Sequence, residues 1–167
     1  MAMTLLETIE VGSGGATALE FTDIPQEGLH LCILLSARSS MAQDDNGLGV
    51  EINGSSANSN AARLLGYNTT VTGNVGGVAN GISQIAADNS NAGLFSSTVM
   101  VFSSYASNRQ KRYSSESAIP TSTIATYRPL TYIYNGVWNQ TAAITALKFT
   151  SGDGFMEHTT ASIYIIS

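Results

Sequence analysis

Few residues in this chain have the type and spacing that chemistry requires, and the glycine-rich run GSGG at residues 12–15 is the first of them. A phosphate-binding loop needs GxxxxGK[ST] between a strand and a helix, and no such lysine follows this run. Small residues between two apolar segments are typical of a hairpin turn instead. We therefore predict a turn here, and no nucleotide or other cofactor.

The acidic run Asp44, Asp45 and Asn46 before Gly47 resembles one part of a calcium-binding loop. The alternating acidic ligands and the distal glutamate of such a loop are missing. The run is therefore predicted to be a turn, with no metal ion. Asp44 and Asp45 remain candidates for a contact surface.

Hydrolytic chemistry finds little support among the remaining candidates. His30 lies within an apolar run, His158 follows Glu157, and neither has a second histidine nearby in the sequence. No G-x-S-x-G elbow singles out a serine nucleophile. We therefore predict that the protein is not an enzyme.

The densest positive charge is RQKR at residues 109–112, which supplies Arg109, Lys111 and Arg112. Two interpretations stay open. The charges could protect an exposed edge strand from pairing with another chain. They could also form an electrostatic patch for an acidic protein or glycan partner, which makes these three residues interface candidates.

Composition narrows the class of protein. Charged residues make up 11% of the chain, hydrophobic residues 43%, and the formal net charge is −5. A disordered chain would combine low hydrophobicity with high charge, and a general nucleic-acid binder would need a basic excess. The sequence thus predicts a folded protein with a neutral, polar surface and no nucleic-acid partner.

The single cysteine and the N-terminal segment bear on the compartment. Cys32 stands alone in LHLCILL, so no intrachain disulfide is expected and the thiol is predicted to be buried. MAMTLLETIE lacks the basic and apolar regions of a signal peptide, and no run reaches the ~20 apolar residues of a membrane span. We expect a soluble protein made in a reducing cytoplasm, with no membrane partner.

These side chains must be positioned by strands, because the apolar segments are short and separated by turn residues. About eight to ten strands with no sustained helical period predict one all-β domain over residues 1–167, an antiparallel sandwich or barrel. The nearly apolar run from Leu29 to Leu35 is the expected core strand. Turns are predicted at Asn135 with Gly136 and at residues 151–154, an exposed strand at RQKRYSSES, and a strand at residues 141–149. Residues 55–93 predict little beyond a weak strand near 82–85 and either a helical turn or an irregular strand near 63–67.

The chain also resembles a small β-domain common among virion proteins of tailed bacteriophages. The matching segments are IPQ at residues 24–26, SARS at 36–39, NRQKR at 108–112, GVWNQTAAIT at 136–145 and IYII at 163–166. Residues 55–93 depart from the sequence pattern of this family, and Asn139 occupies a position at which the family has an arginine.

The resemblance implies a jelly-roll-like β-sandwich and a structural role. Such domains serve as capsid decoration (cement) proteins or as tail-fibre modules. Since the chain begins at Met1 and shows no shaft or coiled coil, we favour a decoration protein on the capsid surface of the virion. It would contact the major capsid protein and further copies of itself, for example as a homotrimer, through loops near residues 40–48 and 68–93. The alternative is a head- or tail-fibre module that binds a receptor glycan through four aromatic candidates: Tyr127, Tyr132, Tyr134 and Trp138.

Overall fold

The computed structural model describes residues 2–56, 59–67, 70–79, 81–119, 122–123, 126–127 and 130–167. For residues 59–67, 70–79, 122–123 and 126–127 it describes the course of the backbone only. No helix occurs in these ranges, and hence none that could cross a membrane. The described residues form fourteen strands: β1 Met3–Glu10, β2 Ala16–Phe21, β3 His30–Ala37, β4 Asp45–Ile52, β5 Ser59–Tyr67, β6 Thr70–Ala79, β7 Gly81–Ala86, β8 Ser96–Ser103, β9 Lys111–Ile119, β10 Ser122–Thr123, β11 Thr126–Tyr127, β12 Leu130–Trp138, β13 Leu147–Phe155 and β14 Thr160–Ile166.

Two antiparallel sheets form the sandwich. The larger has eight strands in the order β1-β14-β3-β8-β9-β12-β5-β6, and the smaller has four in the order β2-β13-β4-β7. Strands β10 and β11 form a separate short pair. The prediction of an all-β antiparallel sandwich is confirmed, and residues 55–93 contain β5, β6 and β7.

The core lies between the two sheets because the strands alternate in polarity. Strand β8 buries Thr98, Met100 and Phe102 on one side and exposes Val99 on the other. From the smaller sheet, Phe149 and its neighbours fill the same core. A period of two thus places one face of each strand inside the protein.

One end of the sandwich is closed by polar contacts. Strand β7, at the edge of the smaller sheet, packs against β9 and β12. The Ser115 hydroxyl on β9 donates to the carbonyl oxygen of Ile82, and the Ser117 hydroxyl donates to that of Gln84 at 2.5 Å. Small hydroxyl side chains let the sheets approach closely here, and they satisfy carbonyl groups of an edge strand.

Several local predictions were wrong, for identifiable reasons. Asn135 and Gly136 lie inside strand β12 and do not form a turn. Gly136 has no side chain, and the Tyr113 ring occupies the space that a side chain would fill. Residues 151–154 form an irregular part of β13 rather than a turn, with positive φ at Gly152 and Gly154. The strand predicted over residues 141–149 begins only at residue 147. By contrast, the irregular-strand alternative for residues 63–67 is confirmed, because β5 runs through them with a register shift between Ala61 and Arg63.

Candidate functional site

The three basic interface candidates do not form one patch. Arg109 is exposed in the loop before β9, and Arg112 is exposed on β9. Lys111 is 0% exposed, although the cluster was predicted to lie on the surface. The edge-strand interpretation is wrong as well, because β9 pairs with β8 on one side and with β12 on the other. Alternation along a central strand turned one of the three charges inward.

Lys111 is held inside the protein by main-chain oxygens. Four carbonyl oxygens lie within hydrogen-bond distance of its Nζ, those of Ser107 and Arg109 at 2.6 Å each, Thr141 at 2.9 Å and Ala142 at 2.6 Å, and they share its three N–H donors. Burial lowers the pKa of Lys111, because leaving water disfavours the charged form. The carbonyl oxygens favour the ammonium. Lys111 therefore ties together the loops that precede β9 and β13.

Arg38 has a similar role at the end of β3, and sequence reasoning treated it only as part of the SARS motif. Its side chain is 5% exposed, and its guanidinium donates to four carbonyl oxygens of the loop between β7 and β8. These belong to Asp88, Ser90, Asn91 and Leu94, at 2.6 to 3.0 Å. The planar fork of an arginine suits such a loop, because its donors point in fixed directions.

The acidic candidates lie at the start of β4. Asp44 is exposed, and its carbonyl oxygen accepts a hydrogen bond from the Ala87 N–H at 3.1 Å. Asp45 is half-buried and accepts a hydrogen bond from the Tyr132 hydroxyl at 2.9 Å. No group of three or more potential metal ligands is found in the described part of the chain. Asp45 thus links the two sheets.

The aromatic residues proposed for glycan binding are mostly interior. Tyr134, Trp138 and Tyr132 are all buried, and the rings of Tyr132 and Tyr134 pack 6.3 Å apart. Tyr127 belongs to the short strand β11, and its side chain lies outside the described residues. These three buried rings act as core packing and offer no surface on which a sugar could stack.

An open depression of ≈ 400 Å³ lies beside the GSGG turn. The turn itself is confirmed, with Gly14 and Gly15 at positive φ. Asp153 and Glu157 line the groove together with Phe155. The described residues that line the groove include no lysine or arginine, and two carboxylates alone do not define a binding site.

The two histidines stand apart. His30 is half-buried and its Nδ1 accepts a hydrogen bond from the Ser104 N–H at 3.3 Å. His158 is exposed, with φ at 69°, and its own N–H donates to the carbonyl oxygen of Val11. These contacts shape loops.

The most unusual surface is the side of the larger sheet that faces away from the core. We call it the outer face, and it is centred on six residues: Leu34, Val99, Val101, Arg112, Glu116 and Ile133. Leu34 is 38% exposed, Val99 43% and Ile133 36%. Leu34 and Val99 are register partners, and Glu116 lies between Val99 and Ile133 in the same row. The row is apolar except for Glu116, and exposed apolar side chains grouped on one face of a sheet favour an interaction site.

The smaller sheet shows the opposite pattern on its outward side. Glu20, Lys148 and Glu51 form one row across β2, β13 and β4, and the Lys148 ammonium lies 3.4 Å from the Glu51 carboxylate. A charged row of this kind is typical of a solvated surface. The two outward sides therefore differ in character, and only the outer face suits a dry contact.

Comparison with known proteins adds no information about this surface. No protein-family model, no curated protein and no solved structure matches the chain.

Proposed function

We propose that this protein is a structural component of a tailed-bacteriophage virion, and specifically a decoration protein that binds the outside of the capsid shell and stabilises it. It would be made in the host cytoplasm and bind the major capsid protein as well as copies of itself. The sequence resemblance suggests this role, and the strand order supports it.

The observation that carries the proposal is how the chain alternates between the sheets. The strands β1-β14-β3-β8 are neighbours in one sheet, and β2-β13-β4-β7 are neighbours in the other. This is the order expected of a jelly roll, a double-sheet fold found in viral capsid proteins and lectins. Under this interpretation, β5 with β6 is one insertion, and the segment from β9 to β12 is another.

Residues of the motifs that carry the resemblance also stabilise loops of the fold. Arg38, from SARS, organises the loop before β8, and Lys111, from NRQKR, joins two loops near Trp138. Conformationally fixed loops favour binding to a repetitive surface, because little entropy is lost when they dock. A decoration protein binds many equivalent sites, so modest contacts at each copy suffice to hold the shell.

The glycan-binding alternative has less support. Of its four aromatic candidates, Tyr132, Tyr134 and Trp138 are buried, and the side chain of Tyr127 lies outside the described residues. The loops expected to contact the capsid are also shorter than predicted, because β4 begins at Asp45 and the segment 68–93 contains β6 and β7.

The copy number in purified virions tests the proposal. Quantitative gel densitometry against the major capsid protein should give hundreds of copies per particle. A count in the low tens or below would identify a tail component and contradict the capsid location. Particles made without the protein should release their DNA at a lower temperature, and adding the purified protein back should restore it. An unchanged release temperature would contradict the stabilising role.

A further inference from the structure

The outer face carries two charges that have no ion-pair partner within the described residues. Arg112 and Glu116 both lie on β9, both are exposed, and they are the charged side chains among the outward residues of β14, β3, β8, β9 and β12. They flank Ser114. Glu116 lies between Val99 and Ile133, and Arg112 lies between Ser103 and Val137. An isolated charge is expensive to bury in a dry interface, so any partner of this face must supply an opposite charge at each position.

We propose that two copies of this protein pair through their outer faces, about a two-fold axis that crosses β9 at Ser114. Such an axis lies across the strands and exchanges the two ends of β9. Arg112 of one copy then meets Glu116 of the other, and the second pair follows by symmetry. The two charges are four residues apart, or about 13 Å, so the two ion pairs would form on either side of the axis.

The neighbouring strands match under the same operation. Val137 is the register partner of Arg112, and Ile133 is that of Glu116, so the axis brings Val137 of one copy over Ile133 of the other. A depression of ≈ 270 Å³ on this face is lined by Glu116 together with Val101 and Ile133, so Arg112 of the second copy, which lies over Glu116, would enter it. Face-to-face sheets pack about 10 Å apart, a distance that interdigitating side chains of this size can fill.

The area is sufficient for a specific dimer. Five strands about 4.8 Å apart, each with about eight residues at about 3.4 Å, span about 24 by 27 Å, or roughly 650 Å² from each copy. The pair would bury roughly 1,300 Å², which falls within the range of about 1,200–2,000 Å² seen for specific interfaces. The charges of Arg112 and Glu116 cancel, so the net charge of −5 is carried elsewhere on the chain and does not oppose contact at this face.

A two-fold pair is a different assembly from the homotrimer expected from the sequence. Pairing is a property of the isolated protein, so it does not depend on any role in a virion.

Charge exchange tests the pairing directly. Sedimentation of the purified protein from about 1 μM to about 1 mM should show a monomer–dimer equilibrium, the affinity range open to a surface of this size. R112E and E116R should each weaken dimerisation by about tenfold or more, because each places like charges opposite one another. The double variant R112E/E116R restores opposite charges and should dimerise within about threefold of the wild type.

The decisive measurement is a mixture. R112E alone presents two carboxylates at these positions, and E116R alone presents two guanidinium groups. An equimolar mixture of the two variants should therefore form a heterodimer more tightly than either forms a homodimer. R109E is the matched control, because Arg109 is exposed in a loop away from the outer face. I133K should weaken the dimer whatever the charges are.

Circular dichroism and urea unfolding establish that each variant is folded. A protein that is monomeric over the whole concentration range would overturn the proposal. So would a trimer, or a dimer that R112E and I133K leave unchanged, or a mixture of R112E and E116R that does not associate.

Discussion

Lys111 and Trp138 are register partners on β9 and β12, and the Lys111 ammonium lies 5.6 Å from the centre of the Trp138 ring. The ring covers one side of the buried cation, and the carbonyl oxygens of two loops accept its hydrogen bonds. A cation over an indole ring is attracted to the negative face of the ring, and more strongly when water is excluded. This pair holds one end of the sandwich together.

Replacing Lys111 should therefore destabilise the fold. K111M fills similar space but leaves four carbonyl oxygens without their donor, and we expect the free energy of unfolding to fall by about 2–4 kcal/mol. Urea unfolding followed by circular dichroism measures it. R109M removes a positive charge only two positions away, from an exposed side chain, and should change stability by less than about 0.5 kcal/mol. Equal effects from the two variants would contradict the structural role of Lys111.

Trp138 is the only tryptophan in the chain and is 3% exposed, so its fluorescence reports on this contact. Its Nε1 is buried and has no hydrogen-bond partner in the described structure. W138F keeps a ring over Lys111 and removes that N–H, so we expect it to cost less than W138A, for which about 3–5 kcal/mol is typical. In the wild type, emission should be blue-shifted and poorly quenched by acrylamide. Strong quenching in the folded state would contradict the burial.

Arg38 should control the loop between β7 and β8. R38K keeps the charge but cannot present two nitrogens in a fixed plane to Asp88, Ser90, Asn91 and Leu94. We expect amide hydrogen exchange in residues 88–95 to rise in R38K, and more in R38M, while strand β12 keeps its protection. Exchange that rises equally across the whole chain would point to global destabilisation instead.

Gly136 should tolerate no side chain. A Cβ at this position would lie 2.1 Å from Cζ of Tyr113 and 2.3 Å from its hydroxyl oxygen, which is too close for any contact. G136A must therefore displace the ring from the core, at about 1–3 kcal/mol in a packed interior. N135A, at the exposed neighbouring position on the same strand, is the control and should stay within about 0.5 kcal/mol. A G136A variant as stable as N135A would contradict the contact.

Cys32 gives a pH dependence whose sign can be worked out. Burial raises the pKa of the Cys32 thiol, since the thiolate is disfavoured away from water. Below the unfolded-state pKa of about 8.5, the thiol is protonated in both states and its contribution to stability is constant. As the pH rises past this value, the unfolded chain releases the proton first, so stability falls until the folded-state pKa is reached.

The matched comparison for Cys32 is C32A. The difference in unfolding free energy between the wild type and C32A should be constant from pH 6 to about 8, and the wild type should lose ground to the variant above about pH 8.5. Urea unfolding at each pH gives both values, and dilute samples keep the protein monomeric. A difference that does not change with pH would contradict the raised pKa.

The sequence predicted the strands best where the pattern of two was uninterrupted. The apolar run from Leu29 to Leu35, predicted to be the core strand, overlaps most of β3, which lies in the interior of the larger sheet. It failed where polar residues face inward. RQKRYSSES was predicted to be an exposed strand, yet most of it lies in the central strand β9, which buries Lys111, Ser115 and Ser117. Buried polar groups need partners from other parts of the chain, and no local pattern reveals those partners.

The sequence by itself determined that this protein is all-β, because short apolar segments with a period of two and frequent turns permit little else. It left a sandwich and a barrel open, and the pairing of the strands into two sheets decided in favour of the sandwich. Only the tertiary structure decided which charged side chains are exposed at the surface. Lys111 and Arg112 are neighbours in the sequence, but side chains alternate along β9. Lys111 therefore points inward and contacts carbonyl oxygens, whereas Arg112 lies on the outer face. Whether a charge is buried depends on strand pairing between residues far apart in the chain. That pairing also brings Leu34, Val99 and Ile133 into one row.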